Sequence, residues 1–501
     1  MVHEIFHQQI GGSQLPPVYT HSFRLDEKVD WLSFQVSLFR KCWFGFYVWD
    51  PDRVLRVQYL YGQAPPILLL HREPEKSSGL TLSGDLPLGE WKIEVTGVDT
   101  PLSEGSHHPI EYRIEMKGGR GEPEGGLSIL PQGSQVWATK EKQKNGFELF
   151  DYPWEREIDS DERWYKGDFH THTRFSDGKM SPREGMDQAL KMGLDFFVAT
   201  DHHVVPTGWI EDKVLVIPGI EVTSTKGHFN ALGIRKWLDY RITSPDGGME
   251  KEEGMMRLLR ETRENGGLTS INHPRLEPWH WQFRDTPLEL IDTIEIWNDP
   301  TYPFNPQATE EALKLWNLLW NEGYRIWGIG GSDSHLRPDE SYTEGGEPSL
   351  IGDPGTYVFA DGLSASKILD AVRKGRVYVS RGPLMDVFVQ IGEKIFPLGS
   401  DITEGLNRSE QGRFTYGVQL SYSSYPVILR WVVNGEEVFH QAVTGDGLYR
   451  QSFEWGERGY DWMRVEVRDE EGRLLAFTNP IYHGERKPQI FTWGELLERA
   501  R

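Results

Sequence analysis

Residues 167–178 read GDFHTHTRFSDG, placing His170, His172 and Asp177 around an apolar residue and a glycine turn. A single His-x-His pair is a weak motif in a chain with 16 histidines. Its spacing still matters, because side chains i and i+2 of a strand share a face and two imidazoles there can converge on one ion. Histidines and acidic residues then recur at one kind of place, the carboxyl end of an expected strand. ATDHH puts Asp201, His202 and His203 there, and GIEVTSTKGH adds Glu221 and His228. INHP contributes His273, and GGSDSH contributes Asp333 and His335. Several separate segments delivering nitrogen and carboxylate donors to one rim are far more specific than any one of these motifs. A donor set without thiolate suits divalent Zn, Mn or Fe ions as cofactors.

The elements that must position these residues follow a strand, loop, helix rhythm from residue 167. SPREGMDQALKMG has Ser181 as N-cap, Pro182 at the first helical position and Gly193 as a stop signal. Buried-type strands are expected at LDFFVATD, VLVIPGIEV, HFNALGI, LTSINHP, IDTIEIWN, RIWGIGGSD, GTYVFA and RVYVS. Helical patterns intervene at GMEKEEGMMRLLRETRENGG, ATEEALKLWNLLWNEG and SASKILDAVRKG. That alternation implies parallel strands with crossover helices, and so many units favour a closed barrel whose active site lies at the carboxyl face.

Before and after this region the pattern changes to short alternating strands, such as WLSFQVSLF, WKIEVTGV, MDVFVQIG and VILRWVVNGEEV. The fold class expected is multidomain α/β plus all-β: a sandwich and linker over 1–160, a barrel over 161–382 and a second sandwich over 383–501. A chain of 501 residues with 38% hydrophobic and 26% charged content fits a soluble protein of several domains. No apolar run has membrane-spanning length, and the N-terminus lacks the basic start and apolar stretch of a signal peptide. Lone Cys42 has no internal disulfide partner, in keeping with a reducing compartment, so a cytoplasmic location is expected. The net charge of −22 argues against long nucleic acid as a partner. Small phosphorylated substrates stay compatible with it, since bound cations reverse the field locally. Nothing in the sequence sets an oligomeric state.

The pattern HxH…D…TDH…GIE…H…HP…SDSH resembles the PHP (polymerase and histidinol phosphatase) metallohydrolases. GHFNALG and the flanking sandwiches are similar, more narrowly, to the CehA/McbA-type branch. The core resemblance covers residues 165–382. It implies a distorted (β/α) barrel of PHP type with three metal sites. The first would use His170, His172, Glu221 and Asp333; the second would share Glu221 and add His228 and His273; the third would use Asp177, His202 and His335. It further implies hydrolysis of a small phosphorylated substrate by a metal-bridging hydroxide. The branch resemblance makes a carboxyl-ester or carbamate hydrolase the alternative. A reading of another class is a carbohydrate- or protein-binding module with a vestigial barrel, against which the complete donor set argues.

Glu221, Asp333, His203 and Arg275 are the residues expected to act in catalysis. His203, beside a proposed ligand, is open between packing and proton transfer, and the SDG around Asp177 is also an ordinary turn sequence. Asp201 is expected to buttress a neighbouring imidazole. Phosphate recognition calls for a guanidinium near the rim, with Arg275 first, then Arg174 and Arg381, and Lys226 as a further cation. Trp279, Trp281 and Trp297 offer aromatic walls, and the polar, Gly-rich stretch after His335 has the composition of a lid or a disordered loop. A competing motif, His3-Glu4-Ile5-Phe6-His7, matches HExxH, but that motif works only on a helix and IGGSQLPP follows at once. Asn407-Arg-Ser409 matches a glycosylation sequon, which carries little meaning in a cytoplasmic protein.

Overall fold

The computed structural model describes residues 1–10, 18–39, 42–98, 110–123, 129–131, 133–141, 143–409, 412–421, 425–456 and 459–500. Strands β1 (Arg163–Thr171), β2 (Phe196–Ala199), β3 (Leu215–Ser224), β4 (Gly227–Leu232) and β5 (Leu268–Ile271) belong to one sheet with β6 (Thr293–Asn298), β7 (Trp327–Gly331), β8 (Gly355–Ala360) and β9 (Val377–Ser380). Its order is β7-β6-β5-β4-β3-β2-β1-β8-β9. Helix α1 (Pro182–Lys191) starts where the signals place it: the Ser181 side chain accepts from the Glu184 amide and Glu184 answers in a capping box. Helices α2 (Glu252–Glu264), α3 (Asn305–Asn321) and α4 (Ala365–Arg373) occupy the other helical patterns.

The sheet is mixed, which corrects the expectation of all-parallel strands. The β1–β2–β3 and β5–β6–β7 runs are parallel. Strand β4 is antiparallel to both neighbours, and β8 and β9 continue antiparallel beyond β1. The physical reason lies in the link lengths. Only Thr225 and Lys226 separate β3 from β4, and so short a link joins antiparallel strands, whereas a parallel crossover takes a dozen or more residues. Among the described residues no ladder closes the sheet into a barrel. The segment just after its end strand β7 meets β1 through one bridge, Thr171 to Ser334, and a hydrogen bond from the Asp333 amide to the His170 carbonyl, 2.8 Å.

Two four-stranded antiparallel sheets precede this region, pairing Val2–Ile10, Ile110–Gly119, Trp31–Leu38 and Ile67–His71 in one and Val18–Leu25, Gly89–Val98, Trp43–Trp49 and Leu55–Tyr61 in the other. Their inner faces share a core in which the Phe34 and Phe46 rings lie 6.3 Å apart. On the other flank, β9 pairs with Leu474–Thr478, so the central sheet runs on into the C-terminal strands. A further four-stranded sheet packs there through Val387, Val418, Leu429 and Val465. The chain is therefore mostly β, with several sheets and few helices. Among the described residues no helix is long and apolar enough to cross a membrane.

His3 and His7 lie on the strand Val2–Ile10, where Nε2 of each meets a carboxylate, Glu115 at 3.0 Å and Glu111 at 2.8 Å. Residues 11–17, which hold most of the IGGSQLPP stretch, lie outside the described residues. Replacing His3 and His7 together by alanine is expected to leave metal content and turnover unchanged. A clear loss of either, measured against the parent protein, would restore HEIFH as a site.

Candidate metal centre

The centre is built from strand ends upward. Strand β1 delivers His170 and releases the chain at Thr171, so His172 follows directly beyond the ladder. Buried Asp168 fixes this exit: its carboxylate accepts from the amides of His170 (3.0 Å), Ser332 (3.1 Å) and Gly352 (2.6 Å). Gly331 lets β7 come close, because a Cβ there would sit 2.4 Å from the His170 Cβ and 2.7 Å from Glu295 Oε1. Strand β3 brings in Glu221, β4 His228, and the turns after β2, β5 and β7 bring His202, His273 and Asp333.

Four donor atoms converge first. His170 Nε2 lies 3.3 Å from both Glu221 Oε2 and Asp333 Oδ1, and His172 Nε2 lies 3.3 and 3.0 Å from the same two oxygens. His170 Nε2, His172 Nε2 and Glu221 Oε2 are nevertheless buried without a hydrogen-bond partner, so these atoms face a common point rather than one another. Donors about 2.0–2.1 Å from one tetrahedral ion lie roughly 3.3 Å apart, so the spacing fits a divalent cation. Glu221 turns its other oxygen to a second group: Oε1 is 3.1 Å from His228 Nδ1 and 3.6 Å from His273 Nε2. Asn272 Nδ2 donates to the same Oε1 at 2.9 Å, which fixes the carboxylate plane.

A third group surrounds Asp177, whose Oδ1 lies 3.3 Å from His335 Nε2 and 3.5 Å from His202 Nε2. His172 joins it through stacked rings, 4.3 Å from His202 and 4.1 Å from His335. His202 Nδ1 meets Thr223 Oγ1 (2.6 Å) and lies 2.9 Å from Glu221 Oε2, and His335 Nδ1 meets the Asp333 carbonyl (2.7 Å), which leaves Nε2 of both rings toward Asp177. The electrostatics match. Against burial, the imidazoles of His170, His202 and His228 hold Glu221 well below the usual carboxylate range. Burial likewise opposes ionisation of Asp333, and His170, His172 and His335 hold it well below that range. Three of the non-glycine residues with positive φ lie here, His203 (+54°), His273 (+27°) and Asp333 (+47°). Such backbone costs about 1–3 kcal/mol per residue and clusters at functional sites.

The structure thus brings together His170, His172, Asp177, His202, Glu221, His228, His273, Asp333 and His335. It places the remaining candidates differently. His203 lines the adjoining cavity, but its Nε2 is held by the Thr223 backbone at 2.9–3.0 Å, and burial, aided by His202, pushes the imidazole down to about 3. Asp201 buttresses no imidazole; it accepts from the Thr173 amide, the Thr173 hydroxyl and the Ser176 hydroxyl at 2.7–2.8 Å, shaping the turn that carries Asp177. Arg275 does not line the cavity, and its guanidinium is paired with Glu311 at 2.9 Å. Arg174, Lys226 and Arg381 also lie outside the lining, bound respectively to the Lys179 carbonyl, the Glu250 carbonyl and the Asp353 carboxylate. Trp279 is part of the wall, whereas Trp281 and Trp297 are buried away from it. The stretch after His335 is anchored by Ser349 on Asp299 (2.7 Å) and lends Tyr342 to the wall.

One residue escaped the sequence reading. Glu295, buried in β6, takes His170 Nδ1 on Oε1 (3.0 Å) and accepts the His273 amide on Oε2 (2.8 Å). Asn298 Nδ2 ties Glu295 Oε2 to Asp333 Oδ2, 3.2 Å from each. The available signal was a lone acid within the apolar strand TIEIWN.

No protein-family model and no curated protein matches the chain. Among solved structures it is similar to a two-domain protein from Bacteroides vulgatus ATCC 8482 containing a predicted PHP-like metal-dependent phosphoesterase. The identity is 21%, over 64% of this chain and 96% of that chain, with a TM-score of 0.35.

Proposed function

We propose that the protein is a metal-dependent hydrolase of phosphoesters. The observation that carries this reading is Glu221, a buried carboxylate whose two oxygens face two donor groups, with a third group around Asp177 beside them. His170, His172, Glu221 and Asp333 would hold one cation, Glu221, His228 and His273 a second, and Asp177, His202 and His335 a third. Such ions supply Lewis acidity, a water of lowered pKa, and a clamp on the attacking and leaving oxygens of an in-line displacement. In the hydrolysis, water adds its hydroxyl to phosphorus, the ester P–O bond breaks, and the remaining proton passes to the departing alcohol. The protein's own contribution is rigidity. Glu295 and Asn298 orient His170 and Asp333, and Thr223 and Asp333 set the rings of His202 and His335. Buried donors without partners are costly in a module that binds no ion, which disfavours a vestigial centre.

A second reading, a carboxyl-ester or carbamate hydrolase on the same centre, has one observation in its favour. None of Arg174, Lys226, Arg275 and Arg381 lines the cavity, and Arg241, which does, is paired with Glu94 and Asp239, so among the described residues no free guanidinium awaits a phosphoryl group there. Side-by-side kinetics of metal-loaded protein on a phosphomonoester, a phosphodiester and a carboxyl ester test the choice. Turnover of a phosphoester at least about tenfold above the carboxyl ester is expected. The reverse order would transfer the chemistry to the carbonyl while leaving the metal centre in place.

A further inference from the structure

The cavity beside the centre has a volume of about 670 Å³ and is walled by two parts of the chain. The N-terminal sandwich contributes Val18, Trp43, Tyr47 and Leu60; the central region contributes Ile242, Met249, Leu276 and Trp279. Trp43 reaches the centre itself, its ring edge-on to His202 and His203 at 5.4 and 5.9 Å. At the outer end Trp279, 40% exposed, meets Tyr302, which in turn meets Tyr342, with centroids 6.2 and 5.1 Å apart. A part-exposed aromatic rim leading into a largely apolar cavity marks a surface that receives apolar material.

The charges on these walls are one-sided. Beyond the proposed ligands, Glu94, Glu250 and Asp299 line the cavity, and among the described residues Arg241 is the only Lys or Arg that does. Arg241 is committed: Nη1 meets Glu94 at 2.6 Å, Nε and Nη2 meet Asp239 at 2.7 and 2.8 Å, and the guanidinium lies over Trp49. A second negative charge on a substrate, held away from the proposed ions, would therefore leave water for apolar walls and carboxylates, with no uncommitted Lys or Arg among the described lining residues to receive it.

We propose that this cavity selects esters in which the group being hydrolysed carries the only charge and the rest is an uncharged, ring-containing apolar body. Substrates with a second anionic group, bisphosphates among them, are excluded. The inference rests on the hydrolase reading of the centre and names its substrate class; the N-terminal sandwich is then a specificity element, supplying one side of the wall through Val18, Trp43, Tyr47 and Leu60.

The test is calorimetric binding of non-hydrolysable probes to metal-loaded protein. Benzylphosphonate is expected to bind at least about tenfold more tightly than methylphosphonate, from burial of one ring. 3-Phosphonopropionate, with its added carboxylate, is expected to bind more weakly than ethylphosphonate. Trp279→Ala, at an exposed rim position, is expected to shrink the benzyl-to-methyl ratio at least about threefold at equal metal content. Equal affinities for benzyl and methyl probes, a stronger diacid, or a ratio unmoved by Trp279→Ala would overturn the proposal. Phenylacetohydroxamate and acetohydroxamate are run in parallel, since their headgroup binds cations without phosphorus. If hydroxamates show the ring preference and phosphonates do not bind, the phosphoester reading fails while the cavity proposal stands. If neither series binds, the cavity proposal falls.

Discussion

Glu221→Ala is expected to empty more than one metal position at once and to abolish turnover. Oε2 of Glu221 stands 3.3 Å from the nitrogens of His170 and His172, and Oε1 stands 3.1 Å from His228. One truncation therefore removes a donor from two groups and leaves several imidazoles without their shared counter-charge. Loss of an outer partner of a metal ligand costs about 10- to 100-fold in affinity, so loss of a shared ligand is expected to exceed about 100-fold. Mass-spectrometric metal content at equal protein concentration reads the effect directly. Glu221→Gln, which keeps the side chain's volume, separates ligand loss from a packing defect and is expected to lose metal as well. Stoichiometric metal with full turnover in either variant would remove Glu221 from the centre.

Glu295→Gln is expected to weaken metal binding by about 10- to 100-fold although Glu295 is not a proposed ligand. Its two oxygens hold a ring nitrogen of His170 and the amide of strained His273. An amide offers one acceptor where two are needed, so either His170 or His273 then faces an N–H donor. Glu295→Asp keeps both acceptors on a shorter arm and is expected to recover part of the affinity. Affinity within about twofold of the parent in Glu295→Gln, with an unchanged melting temperature, would make this carboxylate merely structural.

Local signals read well because they act within one turn or one strand. Ser181, Pro182 and Glu184 cap α1 through contacts three residues apart, and the apolar runs from Phe196 to Val379 became buried strands. The donor residues were legible for a related reason: a strand end repeated in several segments is a position that periodicity can locate. Strand direction was read less well. The two-residue link at Thr225 and Lys226 already demanded an antiparallel pair, but the βα rhythm around it dominated the reading. What sequence spacing does not encode is which distant groups meet. Arg275 stands two residues after His273 yet pairs with Glu311, and Trp43 crosses from another sheet to His202. Glu295 was hidden by similar logic, since its partners at 170 and 273 come from other strands.

The most direct measurement of the central claim is a metal titration of the chelator-stripped protein. Zn²⁺, Mn²⁺ and Fe²⁺ are each added to known occupancy, and bound metal and phosphoester turnover are read on the same samples. About two to three ions per chain are predicted to bind, with turnover returning in step with occupancy. A stripped protein that takes up no ion, or one that hydrolyses phosphoesters at its full rate while metal-free, would contradict the account.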